Sequence, residues 1–117
     1  MGRALREKGK RGEREVASAL RAMGFDSRRA QQYAGADGTA DVLTSIEGTH
    51  WEVKRYARIG SLRFLEQARR DAPEGAIPIV ACREDSGPWV IQVDLKDLPL
   101  LAERIAAARG TSTSTSE

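Results

Sequence analysis

The apolar positions fall into two rhythms, and the rhythms alternate along the chain. In "GEREVASALRAMGF", residues 12 to 25, Val16, Leu20 and Met23 recur at helical spacing, and Gly24 is placed to close the helix just past its last turn. "DSRRAQQ" is polar and reads as a short exposed strand, and "AGADG" as a loop by its glycines. "TADVLTSI" alternates as a strand does, and "EGT" turns it into a second strand, "HWEVKR". Ser61 is placed to cap a helix running to about Ala72, with Leu62, Leu65 and Ala68 along one side. "PEG" breaks that helix. "IPIVAC" and "WVIQV" then read as strands joined through "EDSG", and Asp94 opens a last helix, "LKDLPLLAERIAAARG", with an early Pro99.

A strand, a helix and another strand imply a parallel pair joined by a crossover, whereas "EGT" and "EDSG" imply antiparallel neighbours. The expected fold is α/β, a mixed central sheet flanked by helices. At 117 residues the chain is one domain, placed at 1–110, with "TSTSTSE" (111–117) a low-complexity disordered tail. The one cysteine, Cys82, lies in an apolar run and reads as a buried thiol, which leaves no disulfide within a chain. No stretch is apolar over a membrane-spanning length and the N-terminus has no apolar signal core, so the expected compartment is the cytoplasm.

Charge adds an asymmetry that periodicity does not show. Residues 1 to 33 carry nine Lys and Arg against four acids, a net +5, and the remainder is at −3. A basic N-terminal third on a nearly neutral body points to a polyanion, although a solvated basic helix face would look the same.

The chemistry is concentrated in "DVLTSIEGTHWEVK". Glu52 and Lys54 are two apart on a strand and share a face, opposite Trp51 and Val53, which suit the core. Asp41 stands at the start of the preceding strand, where a hairpin brings it beside them. A surface ion pair worth about 0–1 kcal/mol is the plain alternative. The first helix discriminates further. At about 100° per residue, Glu13 lies on the Leu20 and Val16 side, while Glu15 falls on the far side and reads as a solvated charge. An acid on the apolar face of its own helix must snorkel, pair or hold a metal. Three carboxylates with a lysine suit metal-assisted phosphodiester hydrolysis, because Mg²⁺ is satisfied by one to three carboxylates and completes its shell with water and phosphate oxygens. "GKRGE" lacks the Lys-Ser/Thr ending of a phosphate-cradling loop. Serine or cysteine nucleophile chemistry lacks a partner, since His50 is the one histidine and reads as an exposed strand-end residue.

"KGKRGERE", then an aspartate before an apolar strand, then "EVK", resembles the archaeal-type Holliday junction resolvases, including relatives carried by phages, within the PD-(D/E)XK nuclease superfamily. The resemblance runs from about Lys8 to Val93 and implies a restriction-endonuclease-like core. It implies Glu13, Asp41, Glu52 and Lys54 as the catalytic set. Mg²⁺, for which Mn²⁺ would substitute, would be held by Asp41, Glu52, the carbonyl of Val53, and Glu13. Two departures stand out: Ala40 occupies the position of the superfamily's proline, and "YAGADG" lacks the serine of many resolvases, with Thr39 the nearest hydroxyl. The implied activity is paired symmetric nicking of a four-way DNA junction by a homodimer with no small-molecule cofactor. DNA phosphates would be met by Lys8, Lys10, Arg11, Arg14, Arg28, Arg29, Arg55 and Arg58, with Arg21, Arg69 and Arg70 read as solvated. A superfamily nuclease acting on flaps, ends or duplex DNA, and a non-catalytic DNA-binding module, are the alternatives.

Overall fold

The computed structural model describes residues 2–30, 40–56 and 62–113. A long helix α1 (Gly2–Ala22) precedes three strands, β1 (Ser27–Arg29), β2 (Val42–Thr44) and β3 (Thr49–Tyr56). Helix α2 (Arg63–Asp71) follows, then β4 (Ile77–Glu84) and β5 (Val90–Gln92), and α3 (Leu98–Thr113) after a single 3₁₀ turn at Leu95–Asp97. The five strands form one sheet in the order β1-β2-β3-β4-β5. All neighbours are antiparallel except β3 and β4, which run parallel across the α2 crossover. This is the mixed α/β sheet that the order of hydrophobic rhythms implies.

Two apolar layers hold the sheet. On one face Val16, Ala17 and Leu20 of α1 and Leu101 of α3 pack against Val42, Trp51, Ile77, Ile79 and Ala81. On the other, Leu65 and Ala68 of α2 pack against Val80 and Cys82. Strand β4 is buried on both faces, which is why "IPIVAC" is continuously apolar rather than alternating. Cys82 is buried as expected and carries a free thiol, and burial pushes its proton affinity up.

Several local expectations are corrected. Met23 is 62% exposed, because Gly24 (φ 99°) ends the helix there and the chain turns back over Phe25, whose N–H donates to the Leu20 carbonyl. The first residue before α2 is Leu62, with no side-chain capping bond; Ser61 lies outside the described residues. Asp94 does not cap its helix either. Its carboxylate instead accepts two hydrogen bonds from Arg69, at 2.8 and 2.7 Å, so Arg69, exposed as expected, also ties α2 to the start of the C-terminal segment. Arg21, exposed as read, also donates to the Ser27 carbonyl at 2.7 Å. Helix α3 reaches Thr113, three residues into the segment expected as tail; residues 114–117 lie outside the described residues.

Gly12 sets how closely α1 lies on the sheet. A Cβ there would stand 3.4 Å from Val53 Cγ1 and 3.4 Å from the Trp89 ring, at ordinary contact. Anything larger would force the helix, and Glu13 with it, away from β3. Gly12→Ala is therefore expected to fold with unchanged or higher Tm, since alanine is the better helix former by about 1 kcal/mol. Gly12→Leu should lower stability by about 1–3 kcal/mol through overpacking. Thermal denaturation of the two variants checks this.

Candidate active site

Asp41 is held by backbone through both its main chain and its carboxylate. Its own N–H donates to the Trp51 carbonyl and its own carbonyl accepts from Ala30, both at 2.9 Å, so the residue is strapped between β1 and β3. Its Oδ2 then accepts the Val53 N–H at 2.9 Å. Val53 is the residue between Glu52 and Lys54, so this single bond sets the aspartate beside the pair. Hairpin proximity, inferred from the short "EGT" connection, is realised by a β2–β3 pairing with Val42 opposite Trp51. The turn depends on Gly48 (φ 75°), over which the Arg104 guanidinium lies where any side chain would stand.

Glu13 is half-buried on the sheet-facing side of α1, and Arg29 Nε donates to its Oε1 at 2.8 Å. Burial raises its proton affinity most, and the negative charge of Asp41 raises it further. Arg29 opposes that rise, and the charge of Glu52 adds to it. Asp41 and Glu52 thus both act on Glu13 electrostatically, which places three negative groups within one neighbourhood. Glu52 is 6% exposed and His50 2% exposed, and His50 Nε2 stands 2.7 Å from Glu52 Oε2. Lys54 shares their face and sets its ammonium 5.6 Å from the centre of the Phe64 ring, in the first turn of α2.

Two readings of individual residues are overturned. His50 is not an exposed strand-end residue: β4 runs beside β3 in parallel, with Pro78 opposite His50 and Val80 opposite Glu52, and α2 closes that face. Glu15 is not a solvated charge. Its Oε1 accepts from Arg83 Nη1 at 3.0 Å and from Trp89 Nε1 at 3.2 Å, and its Oε2 lies 3.8 Å from Arg55 Nη1. It pins α1 to the β4–β5 hairpin. The i, i+2 spacing to Glu52 could have flagged His50, whereas nothing local flags Trp89 and Arg83 as partners of Glu15, 74 and 68 residues away.

The proposed phosphate contacts divide in the same way. Arg11, Arg14 and Arg28 are exposed and Lys10 partly so. Lys8 reaches Asp85 at 3.3 Å. Arg29 is engaged by Glu13. Arg55 is partly buried, with Nε and Nη1 inaccessible and Nη1 3.8 Å from Glu15 Oε2. Arg58 and Thr39 lie outside the described residues.

Asp41, Glu52 and the Val53 carbonyl are hard oxygen donors of the kind Mg²⁺ accepts, with water filling the remaining positions. Among the described residues, no three of His, Cys, Asp and Glu gather closely enough to hold a metal ion. Among the described residues, an ion here would rest on the carboxylates of Asp41 and Glu52, with Glu13 Oε1 committed to Arg29. Such a pair is sufficient for Mg²⁺ in kind.

No family model matches the sequence, and no curated protein matches it significantly. Among solved structures the chain is similar to Hjc, a Holliday junction resolvase from the archaeal hyperthermophile Archaeoglobus fulgidus. The TM-score is 0.55 at 25% sequence identity, over 73% of this chain and 76% of that one. The mixed five-stranded sheet with three α-helices is the fold of that protein. Among the described residues no helix is long and apolar enough to cross a membrane.

The raised proton affinity of Glu13 has a stability consequence of definite sign. The folded state holds this proton more tightly than the unfolded chain does, so the stability it contributes is full below the ordinary carboxylate range. That contribution is lost as pH rises through the raised folded value. Glu13→Gln should therefore have the higher Tm at neutral pH, with the gap to wild type closing as pH falls towards 4.5. Paired melts from pH 4 to 8 check it.

Proposed function

We propose that this protein is a metal-dependent endodeoxyribonuclease of the PD-(D/E)XK type that resolves four-way DNA junctions by paired nicks. The observation that carries the reading is the Asp41 carboxylate seated on the Val53 N–H, between Glu52 and Lys54. The likeness in fold to the archaeal resolvase supports the junction as substrate.

When bound, Mg²⁺ supplies an acidified water and charge neutralisation at the scissile phosphate. Asp41 and Glu52 would hold the ion, with the carbonyl of Val53. Lys54, its ammonium fixed against Phe64, offsets charge on the phosphate oxygens and orients the attacking water. Glu13 and Arg29 form a charged pair beside them, which places a guanidinium next to the site. Arg11, Arg14 and Arg28, with Lys10, meet backbone phosphates along α1 and β1.

A junction is nearly two-fold symmetric and each chain carries one such site, so two copies match two scissile phosphates. Val90 and Ile91 on the edge strand β5 are exposed apolar side chains that a second copy would cover.

Cleavage of a labelled four-way junction and of a linear duplex with the same arm sequence tests the reading. In Mg²⁺ the wild type should nick the junction symmetrically and spare the duplex. Asp41→Asn, Glu52→Gln, Lys54→Ala and Glu13→Gln should each lose most cleavage, about 10²-fold or more, while still binding DNA. Glu15→Gln should melt earlier yet cut normally when folded, because Glu15 ties helix to hairpin away from the carboxylates. Equal cutting of both substrates would replace junction resolution with general nuclease activity, and wild-type activity in Asp41→Asn would remove the metal site.

Electrostatics gives a separate check. Arg11→Ala and Arg14→Ala should each lower the slope of log affinity against log salt by about 1. Arg55→Ala should leave that slope unchanged. Salt titrations of junction binding measure all three.

A further inference from the structure

The chain's one histidine is used in a way that neither its strand position nor the proposed chemistry requires. His50 is 2% exposed, and its Nε2 stands 2.7 Å from Oε2 of Glu52, itself 6% exposed. A carboxylate oxygen only accepts, so the shared hydrogen is His50's, and the ring donates it whether neutral or cationic. The surroundings of Glu52 give this bond its weight. The face it shares is lined by Val80 and Cys82 of β4 and by Leu65 and Ala68 of α2, apolar groups with little to offer a carboxylate. Lys54, on the other side of Glu52, leans its ammonium on Phe64.

We propose that His50 is the positioning residue for Glu52: its Nε2–H holds Oε2, so the carboxylate is presented to a divalent cation in one orientation. The inference rests on the nuclease reading and deepens it, adding an outer contact to the ligand set. A carboxylate that binds a cation is weakened when it can rotate, and the hydrogen bonds that prevent rotation commonly control metal affinity by 10- to 100-fold. Strand geometry makes the arrangement rigid. Residues two apart on β3 project side by side, and the parallel register with β4 holds both in place.

The test uses two polar replacements that differ in reach. In His50→Gln the amide nitrogen falls close to where Nε2 lies; in His50→Asn it falls short of Glu52. Mn²⁺ binding is followed by the loss of the free-ion electron paramagnetic resonance signal, in full-length protein shown to be folded by circular dichroism. Wild type should hold Mn²⁺ at a site that Asp41→Asn abolishes. His50→Gln should bind within a few-fold of wild type, and His50→Asn about 10- to 100-fold more weakly. The Mn²⁺ concentration giving half-maximal junction cleavage should move by the same factor, with the rate at saturating Mn²⁺ much less affected.

Equal affinity in wild type and His50→Asn would overturn the proposal, and so would equal losses in the Gln and Asn variants. Absence of any Asp41-dependent Mn²⁺ site in the wild type would overturn it together with the nuclease reading. The wild-type measurement alone separates that failure from the others.

Discussion

The arrangement depends on one hydrogen bond, from the Val53 N–H to the Asp41 carboxylate. Main-chain groups leaving the edge of a strand pair need partners, and here the partner is an ionised side chain instead of a carbonyl. A charge-assisted bond of this kind is about twice as strong as a neutral one. It also fixes chemistry, because Val53 separates Glu52 from Lys54. The backbone of Asp41 is strapped to Ala30 on one side and Trp51 on the other, which carries its carboxylate to β3.

Around that bond, the helices decide what else can approach. Gly12 lets α1 settle against Val53 and Trp89, which carries Glu13 in to where it feels the charges of Asp41 and Glu52. Glu15, one helical step away, grips Arg83 and Trp89 and holds α1 on the hairpin. On the opposite face α2 closes over His50 and Glu52 and offers Phe64 to Lys54. The two faces of β3 thus divide the work. The α1 side supplies packing and internal ion pairs, and the α2 side supplies Glu52 and Lys54.

The layout of the fold was legible because each element carries its own rhythm. "IPIVAC" reads as a strand, "EVASAL" as one face of a helix, and the helix between β3 and β4 as a crossover. Glu13 could be separated from Glu15 because helical angle alone puts one beside Leu20 and the other away from it. The same angle misjudged what Glu15 does. An acid on the far side of a helix is solvated only if nothing else in the fold comes to meet it, and Trp89 and Arg83 arrive from the other end of the chain. His50 was misread for a related reason. Its exposure depended on whether α2 and β4 would cover that face of β3, a tertiary fact that no local pattern holds.

The central claim is that Asp41 and Glu52, joined through Val53, hold a divalent cation. Anomalous scattering from Mn²⁺-soaked crystals tests it most directly. The account predicts a single strong peak bonded to carboxylate oxygens of both Asp41 and Glu52. A peak elsewhere, or none while Asp41 and Glu52 keep the hydrogen bonds they make to Val53 and His50, would contradict it.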